Sequence, residues 1–181
     1  MPLLRLARTA AATLGLAVLG ASSLLAQTSP AAAPDRARIL STARSVMNTA
    51  RYASLITLGA RKQPQARIVD PLAPDDKMAI YIATNPLSRK VSEIKKDARV
   101  TLLYFDAARP AYVTLMGRAK AVSGSEKAAH FKADWSGFFS REKPDAYILY
   151  RIAVSRIEVV SPRDGLSGDP ITWRPEIVDI R

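Results

Sequence analysis

Cysteine is missing from all 181 residues, which excludes disulfides, thiolate metal sites and thiol nucleophiles together. Histidine is nearly missing too. The single His130 cannot furnish a multi-histidine zinc centre, and no Gly-x-Ser-x-Gly elbow or second base accompanies it for acyl transfer. Its surroundings, Glu126-Lys-Ala-Ala-His-Phe-Lys-Ala-Asp-Trp135, read as a helix carrying a structural histidine. Hydrolase chemistry is therefore disfavoured. Acids are the next shortage: 16 Asp and Glu face 27 Lys and Arg, a formal net charge of +11. The cations are scattered and no basic stripe interleaved with aromatics is present, so nucleic-acid binding is not expected. A solvated basic surface, attractive to anionic lipid or cell-wall polymer, is the simpler account.

Long apolar runs are also scarce, with one exception. Arg5 and Arg8 precede a charge-free stretch from Thr9 to Leu25, and Ala26 closes it before a Gln-Thr-Ser-Pro segment. A charged start, an apolar run and a small residue at the cut predict an export signal over 1–26. The alternative is an uncleaved membrane anchor, although 17 residues fall short of the about 20 needed to span a hydrocarbon core. There is no twin arginine, so export of the unfolded chain is expected, to a periplasmic or extracellular location, with membrane contact only through an uncleaved signal. Loss of 1–26 takes away two arginines and no acid, lowering the net charge to +9. What remains suits one domain with one core.

Residues 27–34 are an Ala/Pro/Ser tether, expected to be disordered. From Asp35 to about Ala50 the apolar positions Ile39, Leu40, Ala43, Val46, Met47 and Ala50 fall at helical spacing, with Asp35 as cap. Strand patterns follow at Tyr52–Leu58, Gln65–Val69, Met78–Ala83, Val100–Phe105, Ala111–Val122 and Tyr147–Val160. Short helices are expected at Ser88–Lys96 and Ser125–Trp135. Asp70–Lys77 holds two prolines and is a loop. Six strands in an antiparallel order with short helices predict a small α+β, mainly β, barrel over 35–162, followed by a C-terminal arm, 163–181.

Residues 84–90, Thr-Asn-Pro-Leu-Ser-Arg-Lys, join a strand to a helix. The Ser88 hydroxyl, the adjacent cations Arg89 and Lys90 and the free N–H groups of a helix start converge there, where the helix dipole favours negative charge. Arg67, about 20 residues upstream, adds a cation from a neighbouring strand. The pattern predicts a phosphate site for a phosphorylated small molecule. Taken singly, each cation has a blander reading as solvated surface. Trp135, Phe138 and Phe139 read as core or contact aromatics.

The order of these parts, Ala66-Arg-Ile-Val, then Ile80-Tyr-Ile-Ala-Thr-Asn-Pro-Leu-Ser-Arg-Lys-Val-Ser-Glu-Ile, then Tyr112-Val-Thr-Leu-Met-Gly-Arg-Ala119, resembles the pyridoxamine 5′-phosphate oxidase-like family of flavin-binding split barrels, and within it the short general-stress-protein branch. The resemblance covers roughly Asp35 to Pro162. It implies a six-stranded antiparallel split β-barrel and a homodimer with FMN in the interface. The cofactor contacts it implies are Arg67, Arg89 and Lys90 on the phosphate, Ser88 at the same junction, the backbone of Ile68 and Val69 beside the ring, and Ala83 and Thr84 from the adjacent strand. Tyr112 stands where the family's oxidases commonly place a glutamine. Two departures matter. Asp70, Pro71 and Leu72 occupy the place of a substrate-phosphate lysine, and no histidine follows His130 to complete a late Arg-x-His element, so vitamin B6 oxidation is not expected.

Three functions follow from this reading. The first is an exported FMN-dependent oxidoreductase of unidentified substrate. The second is a non-catalytic flavin-, haem- or other anion-binding stress protein on the same dimeric barrel. The third is a barrel that has lost its ligand and persists as a basic envelope dimer.

Overall fold

The computed structural model describes residues 34–139, 143 and 146–180. The expected export signal, and the tether apart from Pro34, lie outside the described residues. Helix α1, Arg36–Ala50, begins where Asp35 Oδ1 accepts the Arg38 N–H at 2.6 Å. Its buried residues, Ile39, Thr42, Ala43, Val46 and Met47, repeat at three- and four-residue intervals and form one stripe against the sheet. Strands β1 (Ala53–Leu58), β2 (Pro64–Val69) and β3 (Ile80–Thr84) lead to helix α2 (Arg89–Lys96). Then come β4 (Arg99–Asp106), β5 (Ala111–Val122), the short helix α3 (Gly124–Ala129), β6 (Ile148–Val160) and β7 (Glu176–Asp179).

Every strand pairing is antiparallel. The strand order is β2-β1-β4-β5-β6-β3, with β7 also on β6. The sheet curls into a half-barrel whose ends, β2 and β3, are the lips of the split. Inward positions alternate with outward ones as a pleated strand requires. Leu55, Leu102, Leu115 and Ile157 are fully buried and line up across β1, β4, β5 and β6.

One irregularity has a plain steric cause. The β5–β6 register shifts between Met116 and Gly117, and a Cβ added at Gly117 would lie 2.3 Å from the Ala153 carbonyl oxygen. Only glycine permits that approach.

The expected helix over Ser125–Trp135 is broken. α3 stops at Ala129, and a 3-10 turn spans Ala133–Gly137. Tertiary contacts override the helical pattern here: His130 stacks on Tyr81 with ring centroids 3.8 Å apart, and Trp135 is buried against Tyr81, Tyr147 and Leu149. The C-terminal arm, for which the sequence pattern had no place, contains the seventh strand. β3 and β7 share one edge of β6, pairing with Ile148–Ile152 and with Arg156–Val159 in turn. Val178 thereby enters the core.

Candidate functional site

The strand-to-helix junction is built by local hydrogen bonds. Asn85 Oδ1 accepts the Leu87 N–H at 2.8 Å and its carbonyl accepts the Ser88 N–H at 3.0 Å, a turn that sends the chain from β3 into α2. Ser88 occupies the N-cap position, but its side chain accepts no helix N–H. Its Oγ accepts from Lys90 Nζ at 2.7 Å, and the same ammonium donates to Thr84 Oγ1 at 2.8 Å. Lys90 thus ties the lip strand β3 to the first turn of α2.

The first turn of α2 has no acid and two cations. A helix N-terminus disfavours cations by about 0.3–1 kcal/mol each. Natural folds break such local rules mainly at sites of function.

Arg67 comes to the same place from β2. It is paired across the ladder with Leu55, which puts it on the inward face, and its side chain is 19% exposed. Arg67 Nη2 donates to Glu93 Oε2 at 2.7 Å, and Nη1 donates to Thr57 Oγ1. Thr57 Oγ1 donates in turn to Glu93 Oε2 at 2.5 Å. Arg89 Nε reaches forward one turn along α2 to Glu93 Oε1 at 2.9 Å. One carboxylate therefore orders two arginines that sequence spacing alone had brought together.

The charges respond to this packing. Burial pushes the Glu93 carboxyl up, but hydrogen bonds from Thr57 and Arg67 and the charges of Arg67 and Arg89 outweigh it, holding the group below the usual carboxylate range. Burial, and then the neighbouring Arg67 charge, pull the Lys90 ammonium down, with Glu93 in partial opposition. Three cations against one anion leave a local excess of positive charge.

Arg67, Thr84, Ser88, Arg89 and Lys90 are brought together as the sequence pattern predicts. Ala83, beside Thr84 on β3, is half-buried, and Val69 is half-buried on the inward face of β2. β2 ends the sheet, so one backbone edge of Ile68 and Val69 has no strand partner among the described residues. The Ile68 side chain itself faces outward and is 67% exposed.

Tyr112 is not part of this cluster within one chain. It pairs with Phe105 and Val160 on the outward face, three strand spacings, or about 14 Å, from β2. Two residues escaped the sequence pattern: Thr57 and Glu93. For Glu93 one signal existed, its four-residue spacing from Arg89 on the predicted helix; for Thr57 it was the inward parity shared with Ala53 and Leu55. Among the described residues no group of three or more His, Cys, Asp or Glu side chains could hold a metal ion.

A curled antiparallel sheet, split between β2 and β3, with Arg67 of β2 brought to Arg89 and Lys90 at the start of α2, defines a split barrel with a cation-rich junction. The chain belongs to the pyridoxamine 5′-phosphate oxidase family, whose model matches residues 39–161. Similar solved structures include a Clostridium acetobutylicum protein related to general stress protein 26 of B. subtilis, at TM-score 0.65 and 15% identity over 81% of this chain and 97% of that one. General stress protein 26 of Bacillus anthracis aligns at TM-score 0.60 and 18% identity over 77% and 96%. A heme binding protein from Mycobacterium smegmatis aligns at TM-score 0.55 and 21% identity over 70% and 54%. The comparison with curated proteins gives no match.

Proposed function

We propose that this chain is an exported, homodimeric FMN-binding protein that serves as an FMN-dependent oxidoreductase on a substrate other than pyridoxine phosphate. The observation that carries the reading is the pair of cations, Arg89 and Lys90, in the first turn of α2, with Arg67 delivered beside them from β2. A dianionic phosphate there is opposed by three cations and by free N–H groups, an arrangement otherwise unfavourable for the helix. The residues present therefore fit the group.

Arg67, Arg89 and Lys90 would hold the phosphate, with Ser88 alongside. Glu93 and Thr57 fix the Arg67 guanidinium, and Thr84 positions Lys90. The unpartnered edge of β2 at Ile68 and Val69, together with Ala83, would flank the ring system. When bound, FMN supplies acceptance and release of a hydride, while the protein contributes orientation and local charge. Asp70, Pro71 and Leu72 offer no cation to a phosphorylated substrate, which argues against pyridoxine-phosphate oxidation.

Dimerisation is supported by the outward face. Ile68 and Phe105 are 67% and 60% exposed, and Ile56, Leu103, Tyr112 and Met116 share that face in register. Ser54, Thr101 and Thr114 stand among them, and exposed apolar side chains gathered on one sheet face favour an interaction there. A second chain is also the means by which Tyr112 could approach a flavin. Export is supported by the charged start and apolar run of residues 1–26.

Protein purified from its native compartment should show a flavin absorption spectrum and release one FMN per chain on denaturation. A colourless protein that takes up no added FMN contradicts the reading.

A further inference from the structure

A cavity of about 250 Å³ lies beneath the C-terminal half of α1. Met47, Pro71, Leu72 and Pro74 give it apolar walls, and Tyr104 on β4 faces into it. The Tyr104 residue is 2% exposed. Its hydroxyl is, among the described residues, the one buried side-chain polar atom without a hydrogen-bond partner. Native proteins seldom tolerate such an orphan without a ligand, water or functional reason.

The cavity is fixed in shape before anything enters it. Arg44 donates to the carbonyls of Pro74 and Asp75 at 2.9 and 2.7 Å. The Leu72 N–H reaches the Tyr81 carbonyl at 2.9 Å, and Trp135 Nε1 reaches the Asp70 carbonyl at 3.1 Å. The wall segment is thus held from α1, β3 and the 3-10 turn.

Its charge is balanced. Arg51 pairs with Asp134 at 2.7 Å and with Asp70 at 3.5 Å, and Lys132 pairs with Asp70 at 2.5 Å. Arg51 and Lys132 line the cavity, and both are neutralised by these carboxylates just outside the lining. Asn48, exposed there, makes no hydrogen bond to another described residue through its side chain, so the uncommitted polar groups are Tyr104 in the depth and Asn48 at the rim.

We infer that this cavity is a ligand site for a small, neutral, mostly apolar molecule whose hydrogen-bond acceptor, such as a ketone oxygen, accepts a hydrogen bond from the Tyr104 hydroxyl. The volume lies just under the about 300–1,000 Å³ of drug-sized sites, and the compensated rim gives an anion no advantage. This inference is independent of the flavin reading: it concerns the inner side of the barrel under α1, not the junction at α2.

Acetophenone, ethylbenzene and benzoate test it by NMR titration of the purified protein. The first two share a skeleton and differ by the carbonyl oxygen, and the third carries a charge. Acetophenone should bind saturably, with intermolecular NOEs to the Met47 methyl and the Tyr104 ring, and more tightly than either alternative. Tyr104→Phe should weaken acetophenone roughly 3- to 10-fold, the effect of one neutral hydrogen bond, and leave ethylbenzene unchanged. Without probe, Tyr104→Phe should be at least as stable as the parent. Absence of saturable binding to the wild type, benzoate binding as tightly as acetophenone, equal acetophenone affinity in both proteins, or a destabilised Tyr104→Phe would each overturn the inference and leave a site for bound water only.

Discussion

Glu93 is the residue on which the junction turns. Sequence spacing exposed the cations around it, since Arg67, Arg89 and Lys90 fall in recognisable positions; it could not reveal that a buried carboxylate sits among them. A lone glutamate at the edge of a helix's apolar stripe looks like solvated surface, and only the packing of α2 on β1 buries it to 5% exposure. Replacing Glu93 by Gln removes the charged partner of Arg67 and should cost about 1.5–3 kcal/mol. The pH dependence has a definite sign. Because the folded carboxyl lies below its ordinary value, its contribution is complete above about pH 4.3 and is lost as pH falls through the folded value. Urea titrations of wild type and Glu93→Gln at several pH values should therefore show a stability difference that is full near neutrality and shrinks in acid. A difference independent of pH would mean that the glutamate acts by shape alone.

Among the elements, α1, the strands and α2 were legible because their periodicities are strong, and the strand limits differ from expectation by only a residue or two. The long helix expected before β6 does not form, because its apolar pattern arises from His130 and Trp135 meeting Tyr81, Tyr147 and Leu149 rather than from one amphipathic face. β7 was hidden. It is four residues long, follows a Pro-rich stretch and gains its identity from the open edge of β6. The bulge at Gly117 is an element-scale feature with a sharp test. Gly117→Ala places a methyl within 2.3 Å of a backbone oxygen, so either the β5–β6 register or the curl must give way. Overpacking of this kind costs about 1–3 kcal/mol or more. Chemical denaturation should show at least that loss, and a Gly117→Ala protein of wild-type stability would refute the steric account.

For the whole molecule, the sequence order of its parts pointed to the split barrel it is. The outward apolar face was not legible as a surface, because Ile56, Ile68 and the pair Leu103 and Phe105 lie in three strands that only the sheet pairing brings onto one face. If that face joins two chains, Phe105→Glu should reduce the mass measured by light scattering at micromolar concentration from that of two chains to that of one. As an exposed position, it should change the stability of the single chain by no more than about 0.5 kcal/mol. A Phe105→Glu dimer would place the contact elsewhere.

The proposed phosphate site lies at the start of α2. Arg89 is the cleanest probe, since its side chain is 70% exposed and its removal leaves the Arg67–Glu93 pair intact. Fluorescence titrations of FMN and riboflavin against wild type and Arg89→Ala isolate the phosphate contribution. A lost charge-assisted hydrogen bond corresponds to roughly 10- to 150-fold weaker FMN binding. Riboflavin should bind the wild type more weakly than FMN does and be nearly indifferent to Arg89→Ala. Unchanged FMN affinity in the variant, or an equal loss for riboflavin, would contradict the account.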